Sequence, residues 1–194
     1  MKALVIFGHP NPGSFNGAIR DAVTIELEKA GAEVKVKDLY QMNFNPLLTV
    51  NDLQQIQSGS PPADIKREQE DITWADVIIM ISPVWWHSVT AMLRGFIDRV
   101  FSYGFAYHYA GPKPEGLLPG KKGLLITTSG SSKRVDEYTH MTDNIRHTFV
   151  GGFFGFCGIT EADYINCFDV TNVGDDERKK ILEEVKTFIR NKVK

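Results

Sequence analysis

The stretch KALVIFGHPNPGSFNGAI, residues 2–19, decides the fold. Residues 3–7 form an apolar run of buried-strand type that leads straight into a polar turn, and a helix begins at or just after Asn16. Backbone N–H groups in the first turn of a helix lack intrahelical partners, and the macrodipole adds roughly half a positive charge there. The turn therefore reads as an anion cradle, with His9, Ser14 and Asn16 as side-chain donors around it. A strand, a donor-rich turn and a helix at the head of an α/β chain point to a phosphate-bearing ligand.

Outward from that start, strand-length apolar runs recur as DVIIMIS from Asp76 and GLLITTS from Gly123. None of the three runs alternates cleanly, so each suits a strand covered on both faces, as in a parallel sheet. AEVKVKDL from Ala32 alternates and fits an edge strand; ADYINCF from Ala162 fits the opposite edge. Helical patterns lie between. Residues 16–30 end at Gly31, a good residue just past a helix. Residues 64–75 carry Ile65, Ile72 and Trp74 as apolar positions. Residues 90–101 place Met92, Leu93, Phe96, Ile97, Val100 and Phe101 on one stripe. A more polar helix is expected from 137 or 138 to about 149, and a last one over 175–192, acidic at its start and basic at its end. This alternation predicts an α/β, doubly wound, five-stranded parallel sheet of order 2-1-3-4-5, in a single domain over residues 1–194. Stretches 40–62 and 102–119 interrupt the rhythm and read as functional or interfacial excursions.

Composition narrows the function classes. A formal net charge of -2 gives no basic field, so neither nucleic acid nor an anionic membrane surface is an expected partner. Cys157 and Cys167 have no metal-ligand spacing and read as small buried residues in a reducing compartment. Lys2 is followed by only five apolar residues, too few for a secretory leader, and no run approaches the ~20 residues of a membrane span. The expectation is a cytoplasmic protein without membrane insertion.

In an open α/β sheet, ligands bind outside the carboxyl ends of the strands where the order reverses. The relevant ends carry Gly8-His9-Pro10, then Ser82-Pro83-Val84-Trp85-Trp86-His87, then Thr127-Thr128-Ser129-Gly130. No GxGxxG follows the first strand and no GKS/T sequence occurs, so side-chain hydroxyls and amides with a helix end are left to hold a phosphate. Trp85 and Trp86 offer an apolar wall for a planar ring system. Alone, the indoles could equally pack beneath a helix, and the hydroxyl run could be an ordinary loop; their convergence on one sheet edge favours a ligand site. Tyr107, His108 and Tyr109 form an aromatic cluster, and Tyr138 and His140 follow the hydroxyl loop, although a lone Tyr or His is more often structural. No nucleophile elbow, carboxylate pair or metal-ligand spacing is present, which leaves the chemistry to a cofactor.

Taken together, SFN after the first strand, DIKREQEDITWADVII, PVWWHSVTAMLRGFIDRVFSYGFAYHY, TTSGSS, GFFGFCG and the late ERKKILE helix resemble the flavodoxin-like NAD(P)H:quinone oxidoreductases, the DT-diaphorase group with related bacterial quinone reductases. The resemblance covers nearly the whole chain. It implies FAD, with FMN as the alternative, NAD(P)H as co-substrate, quinone-like acceptors, two-electron ping-pong hydride transfer and a homodimer. His9, Ser14, Phe15 and Asn16 match the flavin pyrophosphate loop. Pro83, Val84, Trp85 and Trp86 match the segment along the flavin ring, and Thr127, Thr128, Ser129 and Gly130 the second ring-contact loop. Asp98 and Arg178 fall where FAD-binding members contact the adenosine half. Tyr107 and Tyr109 match aromatic residues that reach the partner's active site, and Tyr138 and His140 stand for the Tyr and His beside the flavin. The chain departs from the family at four points: Asp98 replaces a Glu, residues 133–137 look inserted so that Tyr138 and His140 are only two apart, His87 replaces an aromatic, and no segment follows the last helix. Other roles the resemblance leaves open are a regulatory flavoprotein subunit of a membrane ion-efflux system and a flavodoxin-type electron carrier, with nitro- or azo-compounds as alternative acceptors.

Overall fold

The computed structural model describes residues 1–193. Five strands, β1 (Lys2–Phe7), β2 (Glu33–Asp38), β3 (Val77–Pro83), β6 (Lys122–Thr128) and β7 (Glu161–Cys167), form one parallel sheet in the order β2-β1-β3-β6-β7, the doubly wound order expected from the sequence. The runs lack polar alternation because both faces are covered. Ala3, Val5, Phe7, Val77, Ile79, Ile81, Leu124 and Ile126 face helices α1 (Phe15–Lys29) and α7 (Asp175–Lys192). Leu4, Ile6, Ile78, Met80 and Leu125 face α3 (Ala63–Trp74), α4 (Ala91–Val100), α6 (Met141–Arg146) and a π-helix (His147–Phe154). Each such side chain contributes roughly 1.5–3 kcal/mol on burial, so the sheet's centre is the most stabilised part of the chain.

The excursions have structure of their own. Residues 40–62 hold α2 (Val50–Gln57), started by a reciprocal cap in which Thr49 Oγ1 accepts from Asp52 N–H and the Asp52 carboxylate accepts from Thr49 N–H. Arg99 of α4, only 3% exposed, ties this segment down by donating to Asn45 C=O at 2.9 Å, Asp64 at 2.7 Å and Asp52 at 3.2 Å. Residues 102–119 contain an antiparallel hairpin, β4 (Tyr107–Ala110) with β5 (Lys113–Gly116).

One helix departs from expectation. In place of a helix from 137 or 138, α5 (Lys133–Thr139) starts at Lys133, because Ser132 caps it by accepting from Val135 N–H at 3.4 Å. It then stops at His140, whose φ of 53° is left-handed, and the chain resumes as α6 and the π-helix. Phe149 and Phe154 are both buried at a spacing of five, which the i→i+5 bonding of a π-helix brings onto one face. Cys157 and Cys167 are buried and unpaired, and burial pushes both thiols up to about 12. Among the described residues, no helix is long and apolar enough to cross a membrane.

Candidate functional site

A crevice of about 780 Å³ opens at the carboxyl ends of β1, β3 and β6, where the strand order reverses. Its first wall is the turn before α1. Ser14, in extended conformation, caps the helix by accepting from Gly17 N–H at 3.2 Å, while the first-turn N–H groups of Phe15 and Asn16 have no acceptor among the described residues. Gly17 is required here: a Cβ would stand 1.9 Å from the Pro12 carbonyl oxygen. Asn16 is buried; its Nδ2 donates to Thr128 Oγ1 at 2.8 Å, and its Oδ1 has no hydrogen-bond partner among the described residues. Asn11 N–H donates to His9 Nδ1 at 3.0 Å, and the His9 ring lies 6.2 Å from that of Trp85.

The second wall is Pro83, the last residue of β3, with Val84 and Trp85 just beyond it. Val84 N–H donates to Thr128 C=O at 2.7 Å, after which Trp85 and Ser88 exchange two backbone bonds around a two-residue turn. Trp86 and His87 occupy that turn with φ of 52° and 58°. Non-glycine residues in the left-handed region cost roughly 1–2 kcal/mol each, so this turn is strained. Trp86 is 100% exposed.

The third wall is Thr128, Ser129 and Gly130, and the far end is closed by Val170, Thr171 and Arg178. Ser129 N–H donates to Cys167 C=O at 2.8 Å, and Val170 N–H returns to Ser129 C=O at 3.1 Å. Arg178 is steadied by donating to Val170 C=O at 3.3 and 3.2 Å and to Asp175 at 3.3 Å.

Eleven of the residues singled out from the sequence line this one crevice: His9, Ser14, Phe15, Asn16, Pro83, Val84, Trp85, Thr128, Ser129, Gly130 and Arg178. The others lie elsewhere. Trp86 projects into solvent from the strained turn. Thr127 faces the opposite side of the sheet from Thr128, fully buried against Tyr164 and Asn166. Asp98 sits on α4 in an ion pair with Arg94 at 2.9 Å. Tyr107 and Tyr109 are on the hairpin, in ring contact with each other and with Tyr103. Tyr138, 88% exposed, and His140, 3.9 Å from the Asp143 carboxylate, stand on α5 and at its left-handed end. Val170 and Thr171 were missed by the sequence reading. The rule that placed ligand residues at strand ends applies equally to the end of β7, and FDVT there is the signal that was available.

Comparison with known proteins agrees with this fold. Residues 1–193 match the family model for the flavodoxin-like fold. An uncharacterized NAD(P)H oxidoreductase of Haemophilus influenzae is 37% identical over 186 residues, 94% of this chain and 91% of the relative. NAD(P)H dehydrogenase [quinone] 1 of Rattus norvegicus is 33% identical over 202 residues, 94% of this chain and 74% of the relative. The chain belongs to the flavodoxin-like NAD(P)H:quinone oxidoreductase family. Among solved structures, the family's NAD(P)H:quinone oxidoreductase from Methanothermobacter marburgensis superposes with a TM-score of 0.85 at 29% identity, covering 98% of each chain.

Proposed function

We propose that the protein is a flavin-dependent NAD(P)H:quinone oxidoreductase that works by two-electron, ping-pong transfer. The observation that carries this reading is the crevice itself, whose donor set fits a flavin nucleotide. Its volume lies within the roughly 300–1,000 Å³ of small-molecule sites. The unpartnered N–H groups of Phe15 and Asn16 suit a phosphate. The orphaned Asn16 Oδ1 is an acceptor and needs a donor, such as a hydroxyl of a sugar-like chain.

A bound flavin supplies hydride acceptance from NAD(P)H and electron donation to a quinone. The chain supplies the rest. Phe15 and Asn16 hold the phosphate end, Pro83, Val84 and Trp85 form the apolar wall that excludes water, and the Gly130 N–H, without a protein partner, meets negative charge on the ring. Tyr138 is the proposed proton donor at its phenol, and His140, two residues on at the end of α5, is the second proposed catalytic residue. Because Tyr107 and Tyr109 lie outside their own crevice and Tyr109 is half exposed, they are proposed to complete the crevice of a second subunit in a homodimer. FAD is the favoured form, supported by Arg178 in the crevice lining. FMN is the second reading, favoured by Asp98 lying outside that lining.

Two measurements test this. The chromophore released from purified protein is weighed, with FAD expected. Then bound flavin is mixed anaerobically with NAD(P)H in a stopped-flow instrument. Bleaching followed by recovery on adding quinone supports the reading; flavin that stays oxidised sinks it.

A further inference from the structure

We infer that Asn166 is a positioning residue for the crevice, holding the 128–131 loop in shape through Ser129 without lining the crevice itself. This role rests on the flavin-binding reading above. Strand β7 turns Tyr164 and Asn166 to the sheet face covered by α6 and the π-helix, where Leu125, Met141, Ile145, Phe149 and Phe154 supply the apolar packing and Thr127 and Thr142 add hydroxyls. A buried amide in such a layer is costly unless both its ends are bonded. Both are: Thr127 Oγ1 donates to Asn166 Oδ1 at 2.8 Å, and Asn166 Nδ2 donates to Ser129 Oγ at 3.1 Å.

The direction of the chain of bonds follows from its proton count. Thr127 has one hydroxyl proton and gives it to Asn166, so the 2.8 Å contact between Tyr164 and Thr127 must have the tyrosine as donor. Burial pushes Tyr164 up to about 12, which keeps that proton in place. At the other end, Ser129 Oγ donates to Ser131 C=O at 3.3 Å. Protons thus run one way, from Tyr164 through Thr127, Asn166 and Ser129 to the Ser131 carbonyl.

The consequence lies in the loop. Ser129 C=O accepts from Val170 N–H, Gly130 C=O from Asn172 Nδ2, and Ser131 C=O from both Asp169 N–H and Ser129 Oγ. All three negative ends are bound by the protein, while the Gly130 N–H is left without a protein acceptor beside the crevice. Asn166 maintains that polarity: without it Ser129 Oγ is free to rotate and one restraint on the Ser131 peptide is lost.

The test compares wild type, Asn166→Leu, Ser129→Ala and the double variant by flavin titration, redox titration and amide hydrogen exchange of residues 129–131. Each single variant is expected to weaken flavin binding about tenfold, lower the midpoint potential and speed exchange in the loop, with β3 unchanged. The double variant is expected to fall well short of the sum of the two, since both remove the Asn166–Ser129 bond. Additive effects, or an unaltered potential, overturn the role. If Asn166→Leu does not fold, Ser129→Ala with an unchanged potential does the same. Wild type that takes up no flavin overturns the functional reading and this role together; wild type that binds flavin with variants that match it overturns this role alone.

Discussion

The loops that leave β3 and β6 line the same crevice but are held in opposite ways. After β6, Thr128 is bonded to α1 through Asn16, and Ser129, Gly130 and Ser131 are bonded to the segment after β7 by backbone and side chain. After β3, only Val84 is tied to the neighbouring strand; Trp85 to Ser88 close on themselves, with two bulky residues at positive φ and an indole in solvent. One side of the crevice is a fixed frame and the other an exposed, strained rim. Strain of this kind persists only where the surroundings or the function require it. The frame is thus suited to holding a permanent ligand and the rim to meeting transient ones.

The largest effect is expected on the frame. Gly17→Ala places a Cβ 1.9 Å from Pro12 O, so the turn before α1 has to move; the expected cost is on the order of 3 kcal/mol, read by denaturant titration, together with loss of flavin retention on gel filtration. Full retention would break the comparison on its rigid side. Thr128→Val comes next. It removes the acceptor of a buried amide, for an expected loss of about 1–3 kcal/mol and weaker flavin binding by fluorescence titration.

The rim predicts the opposite sign. Replacing Trp86→Asn together with His87→Gly installs the pair favoured where both turn residues have positive φ. A gain of about 1 kcal/mol in thermal unfolding is expected, with unchanged flavin affinity and a raised KM for quinone. A loss of stability there would show the rim to be as constrained as the frame.

The smallest effect concerns the anchor of β7. Burial alone would raise the Asp163 carboxyl, but bonds from Lys192 at 2.6 Å, Arg146 at 2.7 Å and Tyr164 N–H at 2.7 Å bring it down to about 2 from an ordinary 3.8. A lowered folded-state value means its contribution is complete above pH 3.8 and fades as pH falls toward 2. Screened as it is, it is worth on the order of 1 kcal/mol. Asp163→Asn is expected to flatten the acid side of the stability profile by that amount, and an identical profile would remove the anchor from the account.

Much of the frame was legible in the sequence, because strand ends and a helix start are set by local patterns. His9, Ser14 and Asn16 follow from one strand-turn-helix, and the hydroxyl loop from the end of another apolar run. What could not be read is what depends on single dihedrals or distant partners. Nothing local says that Trp85 lines the crevice while Trp86 leaves it; the left-handed turn decides that. The break at His140 and the π-helix after it depend on packing Phe149 and Phe154 against the sheet. The division between Thr127 and Thr128 was available, since neighbours on a strand face opposite ways and only one of them can reach α1.

One pairing ties distant parts of the chain together. Helix α7 lies against α1 through Ile181, Val185 and Ile189, and Arg190 reaches Glu26 at 2.9 Å, 164 residues away in the chain. The turn before α1 is thus backed by a helix that lies at the far end of the described chain order. Without α7, Ile19, Val23 and Leu27 lose the apolar face packed against them, so the candidate crevice depends on a contact that closes nearly the whole length of the sheet's wiring.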